Sequence, residues 1–433
     1  MRFVNRLLLS GAMLSSFSVS AEEVTLNQAI NKALNFHPQV IKGVKGRYVA
    51  EAELREAEGG YYPSLDLRVG LGKENTDSEL LPEDGTLTRK ESALTLRQML
   101  YDGFRVDNSV GKQEAILSRA NYSLSDNQQA LALRVIESYL EVLRTNEQVA
   151  VTKENIKAHE EILKMVGGRE QRNLSSKADK IQVNGRLSLA KAQSRREIAI
   201  QEGVVARYYE AVGEKPGDLS KPKDHGNSLP KDLLNARIIT HNQHPSLNVN
   251  RKTIQATSYT IEEAKAAYHP KIDLELSANN GENLSGTEGE EDYYAAMLVL
   301  NMNIFRGGSD TARVRSQVML KEQQRQELLE LERALMRDLS VSWHAREGNL
   351  IELEYFIEHM LSLESTLKAY TKQYELGKRT LFDLLNARAE YFRSKSTVVD
   401  KKYANMLSTY QIMANMGVLL DKVYTPEKIL TKK

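Results

Sequence analysis

Two aspartates in this 433-residue chain close the same seven-residue pattern. "NLSSKAD" ends at Asp179 and "GKRTLFD" at Asp383, and 383 − 179 = 204. In each, a hydroxyl (Ser176, Thr380) stands three residues before the acid. A hydroxyl there accepts from a free backbone N–H at the start of a helix, and an acid in the first turn is favoured by the helix macrodipole. Gly377 supplies the positive φ that ends a preceding helix, and Asn173 is the non-glycine residue that best tolerates it. As chemistry, these residues cap helices across a tight turn.

Other candidate groups lead to no catalysis. His37 and His244 each precede a proline and lie 244 − 37 = 207 apart, which fits turn geometry rather than a metal pair. The chain has no G-x-x-x-x-G-K-[ST], G-x-S-x-G or H-E-x-x-H. It has no cysteine, which excludes disulfides, thiolate metal sites, thiol catalysis and a lipid-modified N-terminal cysteine. With 41% hydrophobic and 27% charged residues it can bury a core, and a net charge of +1 gives no electrostatic case for nucleic acid. No enzyme activity, catalytic residue, metal site or cofactor is expected.

The N-terminus reads as an export signal. Arg2 and Arg6 precede the apolar "LLLSGAMLSSF", and "VSA" at 19–21 offers small residues for cleavage. A signal peptide over 1–21 leaves 433 − 21 = 412 residues outside the cytoplasm.

The elements that position the two turns are themselves duplicated. "HPQV" and "HPSL" are 207 apart, as are "GYYPSLDLRV" and "AYHPKIDLEL" with Pro63 and Pro270. Downstream the offset is 204: "LYDG" faces "IFRG", Tyr139 faces Trp343, and the two turns face each other. Tandem duplication explains several matches in one order. The stretches 83–215 and 271–425 are free of proline. Within the second, Leu353, Phe356, Met360, Leu363, Leu367, Tyr370 and Tyr374 follow the 3,4 spacing of a coiled-coil seam. A helix from about Gly308 to Leu376 would be about 100 Å long, and a second returns from about Thr380 to Gly417. The first copy runs from Phe104 to about Val166 and back from Ser175 to Val212. Residues 213–230 read as a turn-rich linker.

After each Tyr/His–Pro corner the period changes to two. Leu65, Leu67, Val69 and Leu71 alternate with Ser64, Asp66, Arg68 and Gly70; Ile272, Leu274 and Leu276 alternate with Lys271, Asp273 and Glu275. Partner strands carry Leu94, Leu96 and Leu100, then Leu298, Leu300, Met302 and Ile304, across polar loops at 74–90 and 279–291. Alone, such hairpins fit a soluble domain packed on helices better than a membrane. Joined to an export signal and a duplication, strands of about ten residues with one apolar face fit a tilted outer-membrane barrel. Four strands cannot close a barrel, and an open edge in lipid is costly. Two copies of the chain would supply eight strands and three would supply 3 × 4 = 12, with room for a passage. Pro63 and Pro270 are then expected to end a helix where it becomes a strand.

With a signal peptide, two helix–hairpin–helix repeats and a G-x-x-[ST]-x-x-D turn in the second, matched in the first except that Asn173 stands for the glycine, the chain resembles the TolC family of outer-membrane channels. The resemblance spans essentially the whole mature chain. It implies a mainly α fold with a membrane β portion: a homotrimer whose 12-stranded barrel continues as a long periplasmic α-helical barrel. The expected division is signal peptide 1–21, first repeat 22–212 (β-hairpin about 62–101, helical hairpin about 104–212), linker 213–230, second repeat 231–420 (about 269–305 and about 308–417) and tail 421–433. The implied role is an exit duct recruited by an inner-membrane pump of ABC or RND type through a periplasmic adaptor, with type I protein secretion favoured over small-molecule efflux because the lipid cysteine is absent. Asn173, Ser176, Gly377 and Thr380 would face the adaptor. Tyr374, Arg379 and Asp179 would close the pore, and Asp383 would form an acidic ring, although Asn386 stands where the family's model member has a second acid. The alternative is a periplasmic coiled-coil adaptor or scaffold that forms no pore.

Overall fold

The computed structural model describes residues 23–77 and 85–425. The export signal expected over 1–21, part of the expected loop at 74–90 and the end of the expected tail lie outside the described residues.

Each half of the chain runs helix, helix, hairpin, long helix, returning helix. The first half comprises α1 (Leu26–Phe36), α2 (Pro38–Glu58), β1 (Ser64–Thr76), β2 (Gly85–Tyr101), α3 (Arg105–Glu170) and α4 (Lys177–Val212). The second comprises α5 (Leu233–Gln243), α6 (Pro245–Lys265), β3 (Lys271–Glu282), β4 (Glu290–Asn301), α7 (Ser309–Glu375) and α8 (Leu381–Asn415), followed by α9 (Leu419–Val423). At 66 and 67 residues, α3 and α7 are each about 100 Å long. α3 runs four residues beyond the end its sequence pattern suggested.

The histidine–proline pairs divide α1 from α2 and α5 from α6. His37 and His244 are N-caps, with Pro38 and Pro245 at the first helical position, where a missing N–H costs nothing. Their Nδ1 atoms accept from Gln39 N and Ser246 N, each at 3.2 Å.

The corner prolines do not end the helices. α2 and α6 stop at Glu58 and Lys265 and tighten into 3-10 turns at Gly59–Tyr61 and Ala266–Tyr268. Pro63 and Pro270 follow, each immediately before its strand. Tyr62 and His269 are extended, as a residue before proline must be. The helix–strand change therefore spans five residues rather than one.

α3 is nearly twice as long as α4 and takes different partners along its length. Its first half meets α2 and α6, where Lys112 pairs with Glu263 at 2.8 Å and Ser246 donates to Asp126 at 2.7 Å. Its second half meets α4 and α8, through Val166 with Val183 and through Arg144 with Asp400 at 2.7 Å. Between these tiers a core forms around Tyr139, Tyr208 and Tyr410. Tyr139 is more than a packing residue: its hydroxyl lies 2.8 Å from Val24 O and 2.6 Å from Ser220 O, tying down the parallel bridge between Val24 and Leu219. Trp343 at the equivalent site packs beside Ile412 and sends Nε1–H to Glu347.

The strands form one antiparallel sheet in the order β1-β2-β3-β4, so β1 and β4 are open edges. A register shift between Met99 and Tyr101 leaves Leu100 out of the pairing with β3.

Candidate functional sites at the helical tips and on the sheet

The two tip turns have the same backbone. Asn173 has φ +57° and Gly377 φ +74°. Leu174 N donates to Arg169 O and Lys378 N to Gln373 O, both at 2.8 Å; Asn173 N and Gly377 N reach Glu170 O and Tyr374 O. These are paired helix-end motifs that satisfy carbonyls left over at a C-terminus. The returning helices begin at Ser176 and Thr380, whose hydroxyls accept from Asp179 N at 3.1 Å and Asp383 N at 3.2 Å. Asp179 Oδ2 in return accepts from Ser176 N and from the Ser175 hydroxyl. These donors, backbone first, hold the Asp179 carboxyl below its ordinary range.

The tips of the two repeats pack on each other through Ile162, Val166 and Val183 from the first and Leu367, Tyr374, Leu381 and Leu384 from the second. Tyr374 is buried there, which raises the pKa of its phenol, and its side chain meets that of Ser175. A path thus runs from Tyr374 through Ser175 to Asp179, joining the second repeat to the first. Arg379 takes another course. Its guanidinium lies 3.8 Å above the Tyr370 ring and 3.9 Å from Asp383. Among the described contacts none joins Arg379 to Asp179 within one chain. Asn386 is exposed one turn beyond Asp383.

Arg169 was not visible as a tip residue in the sequence. Its Nη1 donates to Tyr374 O and Glu375 O, both at 3.2 Å, and its guanidinium is 5.1 Å from the Tyr374 ring. The repeat offset places Gln373 opposite it, which hides the role from any comparison of the halves.

On the sheet, the register assigns two chemically distinct faces. Leu65 and Leu67 pair with Leu96 and Leu94; Leu96 pairs with Leu276; Leu274 pairs with Leu298 and Ile272 with Leu300. This face is open: Leu67 is 70% and Leu298 67% exposed. The opposite face carries paired charges. Arg68 meets Glu91 at 3.2 Å, Arg89 meets Glu74 at 2.8 Å, and Arg97 meets Glu275 at 2.8 Å. Leu284, in the loop after β3, turns over this charged face into the space a side chain on Gly281 would need. Asp273 differs from Asp66: it is buried, its Oδ2 2.8 Å from Lys271 Nζ and its Oδ1 without a partner. Aromatic residues Tyr62, Phe104, Tyr268 and Phe305 are exposed around the corners at the helical end of the sheet.

Among the described residues, no helix is long and apolar enough to cross a membrane, and no three or more His, Asp or Glu gather as metal ligands.

Comparison with known proteins gives concordant matches. A family model described as outer membrane efflux protein matches residues 29–197 and 240–418, one segment in each repeat. The outer membrane efflux protein BepC of Brucella suis is 22% identical over 95% of this chain and 88% of its own length. The proteases secretion protein PrtF of Dickeya chrysanthemi is 21% identical over 94% of this chain and 91% of its own. The crystal structure of the Campylobacter jejuni CmeC outer membrane channel superposes with a TM-score of 0.78 at 13% identity, covering 97% of this chain and 94% of that one.

Proposed function

This chain belongs to the outer membrane efflux protein family, and from that premise we propose that it is the exit duct of a tripartite export machine, docked by a periplasmic adaptor and fed by an inner-membrane pump. As a family member it is an outer-membrane channel of the TolC type reaching into the periplasm, a transporter and not an enzyme. Membership implies a trimer working in a tripartite system.

The observation that carries the reading is the joining of an open-edged sheet, apolar on one face and charged on the other, to helices of 66 and 67 residues. Unpaired edges and an uncovered apolar face suit a sheet completed by other copies inside lipid. A soluble periplasmic scaffold would leave both exposed to water. With the apolar face outward, the paired charges line the passage.

At the other end, Asn173, Ser176, Gly377 and Thr380 form the docking tips. Tyr374, Arg379 and Asp179 close the resting mouth, with Asp383 in an acidic ring, and docking separates them. The Tyr374–Ser175–Asp179 path supports this reading, because it ties the hairpin of the second repeat to that of the first. Protein secretion through an ABC-type pump is the first reading of the cargo, and small-molecule efflux with an RND-type pump the second. Relatives named for protease secretion and for efflux accompany both.

The test is purification from outer membranes, followed by mass measurement and planar-bilayer recording. A trimer with discrete conductance steps is expected, and export should stop when the gene is deleted. A soluble monomer without conductance would overturn the reading.

A further inference from the structure

We propose that Arg169 is a one-way clamp between the repeats, positioning Tyr374 in the closed mouth. The inference rests on the gate reading above and adds a residue to it.

The end of α7 is short of donors. Its last turn leaves carbonyls without intrahelical partners. The turn at Gly377 satisfies Gln373 O and one lone pair of Tyr374 O. Glu375 O and the second lone pair of Tyr374 O remain, and Arg169 Nη1 reaches both at 3.2 Å. The same guanidinium lies 5.1 Å from the Tyr374 ring, within range of a cation–π contact. Its positive charge also sits at the negative end of the α7 macrodipole. One side chain therefore holds both the backbone and the ring of Tyr374, and does so from the other repeat.

The clamp has a base as well as a grip. Arg169 O accepts from Leu174 N at 2.8 Å, so the residue is fixed by the first tip turn while its side chain closes the second. The arrangement is not reciprocal. Gln373, the repeat equivalent of Arg169, is shorter and uncharged, and Glu170 stands where the other repeat has Tyr374. Duplication thus produced two similar tips, of which only one grips the other. Swinging the α7–α8 hairpin away from α3–α4 must break the two hydrogen bonds and the ring contact together.

The experiment compares Arg169→Gln, which installs the other repeat's residue, with Arg169→Met, which keeps the stem without donors, in full-length trimers. Planar-bilayer recording should show a rise of roughly tenfold in open-state occupancy for either, from losing hydrogen bonds to a charged group. Arg169→Lys, which keeps the cation, should fall between. Trimer yield and melting should match the parent. Tyr374→Phe with Arg379→Ser serves as the gate control. If the control opens the channel and Arg169→Gln conducts like the parent, the clamp is overturned and the gate stands. If neither opens, the gate reading falls and takes the clamp with it. Failure of both Arg169→Gln and Arg169→Met to assemble would make Arg169 a folding residue and also overturn the proposal.

Discussion

Arg379 stacks on Tyr370 in its own helical hairpin, with the guanidinium 3.8 Å from the ring centroid. Arg379 thereby stays within its own hairpin, beside Asp383 at 3.9 Å and with its Nε unpartnered, while the buried Tyr374 packs against the other repeat. In the proposed gate the two have separate tasks. Tyr374 binds within the chain, and Arg379 is free to turn toward Asp179 of a neighbouring copy, exchanging its half-buried pair with Asp383 for another ion pair. Each such pair is worth only about 0–1 kcal/mol, so closure needs the threefold repetition and the buried tyrosine together.

Pairing Tyr374→Phe with Arg379→Ser is therefore expected to raise single-channel conductance and sensitise cells to large antibiotics. Asp179→Ala should give part of that effect and add little to Arg379→Ser, because members of one contact are not additive. A double variant that conducts like the parent would place the gate elsewhere.

The tip backbone gives a second expectation. At φ +74° a β-branched side chain on Gly377 is strained by about 1–2 kcal/mol, although the nearest outside atom is 3.9 Å away. The cost is conformational and not a clash. Gly377→Val should leave trimers in the outer membrane and abolish export, if the adaptor reads this turn. Asn173→Gly, at φ +57°, should be tolerated. Normal export by Gly377→Val would remove that residue from the docking surface.

Much of the fold was legible because long periodic elements repeat themselves. The seam from Leu353 to Tyr374 identified α7, and the seam residues are its buried or half-buried ones, whereas Ile351, Tyr355 and Leu361 stay exposed. The tip turns were legible because glycine, asparagine and capping hydroxyls act locally. What stayed hidden depends on contacts distant in sequence. Arg169 meets Tyr374 across 205 positions. Tyr139 finds Val24 and Ser220 only after the chain has folded back. The corner prolines misled for a local reason: the helix ends in a 3-10 turn whose sequence carries no stronger signal than the proline that follows.

Asp273 shows the same limit in the sheet. Alternation makes Asp66 and Asp273 equivalents, yet only Asp273 is buried against Lys271 with an unpartnered oxygen. Leu67→Arg should therefore impair insertion most, by about 2–4 kcal/mol near the bilayer midplane. Asp273→Ala should cost less, about 1–3 kcal/mol for a broken buried contact. Asp66→Ala should be close to neutral. Heat-resistant trimer yield ranks the three, and equal yields would argue that the hairpins are not in a bilayer.

Acid should weaken the helical tiers through His159. This side chain is buried in α3, and burial first, then Arg388 of α8 and Arg186 of α4, depress its pKa to about 4. Its Nδ1 has no partner, so nothing in the fold compensates a proton there. An unfolded histidine titrates near 6.5. Between those values the unfolded chain binds the proton and the folded chain does not, so stability is lost as pH falls from about 6.5 toward 4. The loss approaches about 3 kcal/mol per chain at the lower limit. His244, also buried and depressed, contributes in the same direction, whereas carboxylates dominate only below about pH 5. His159→Leu should flatten the pH 4–6.5 limb of the melting profile relative to the parent. Parallel profiles would mean that the imidazole is hydrated in the folded trimer and that acid acts through other groups.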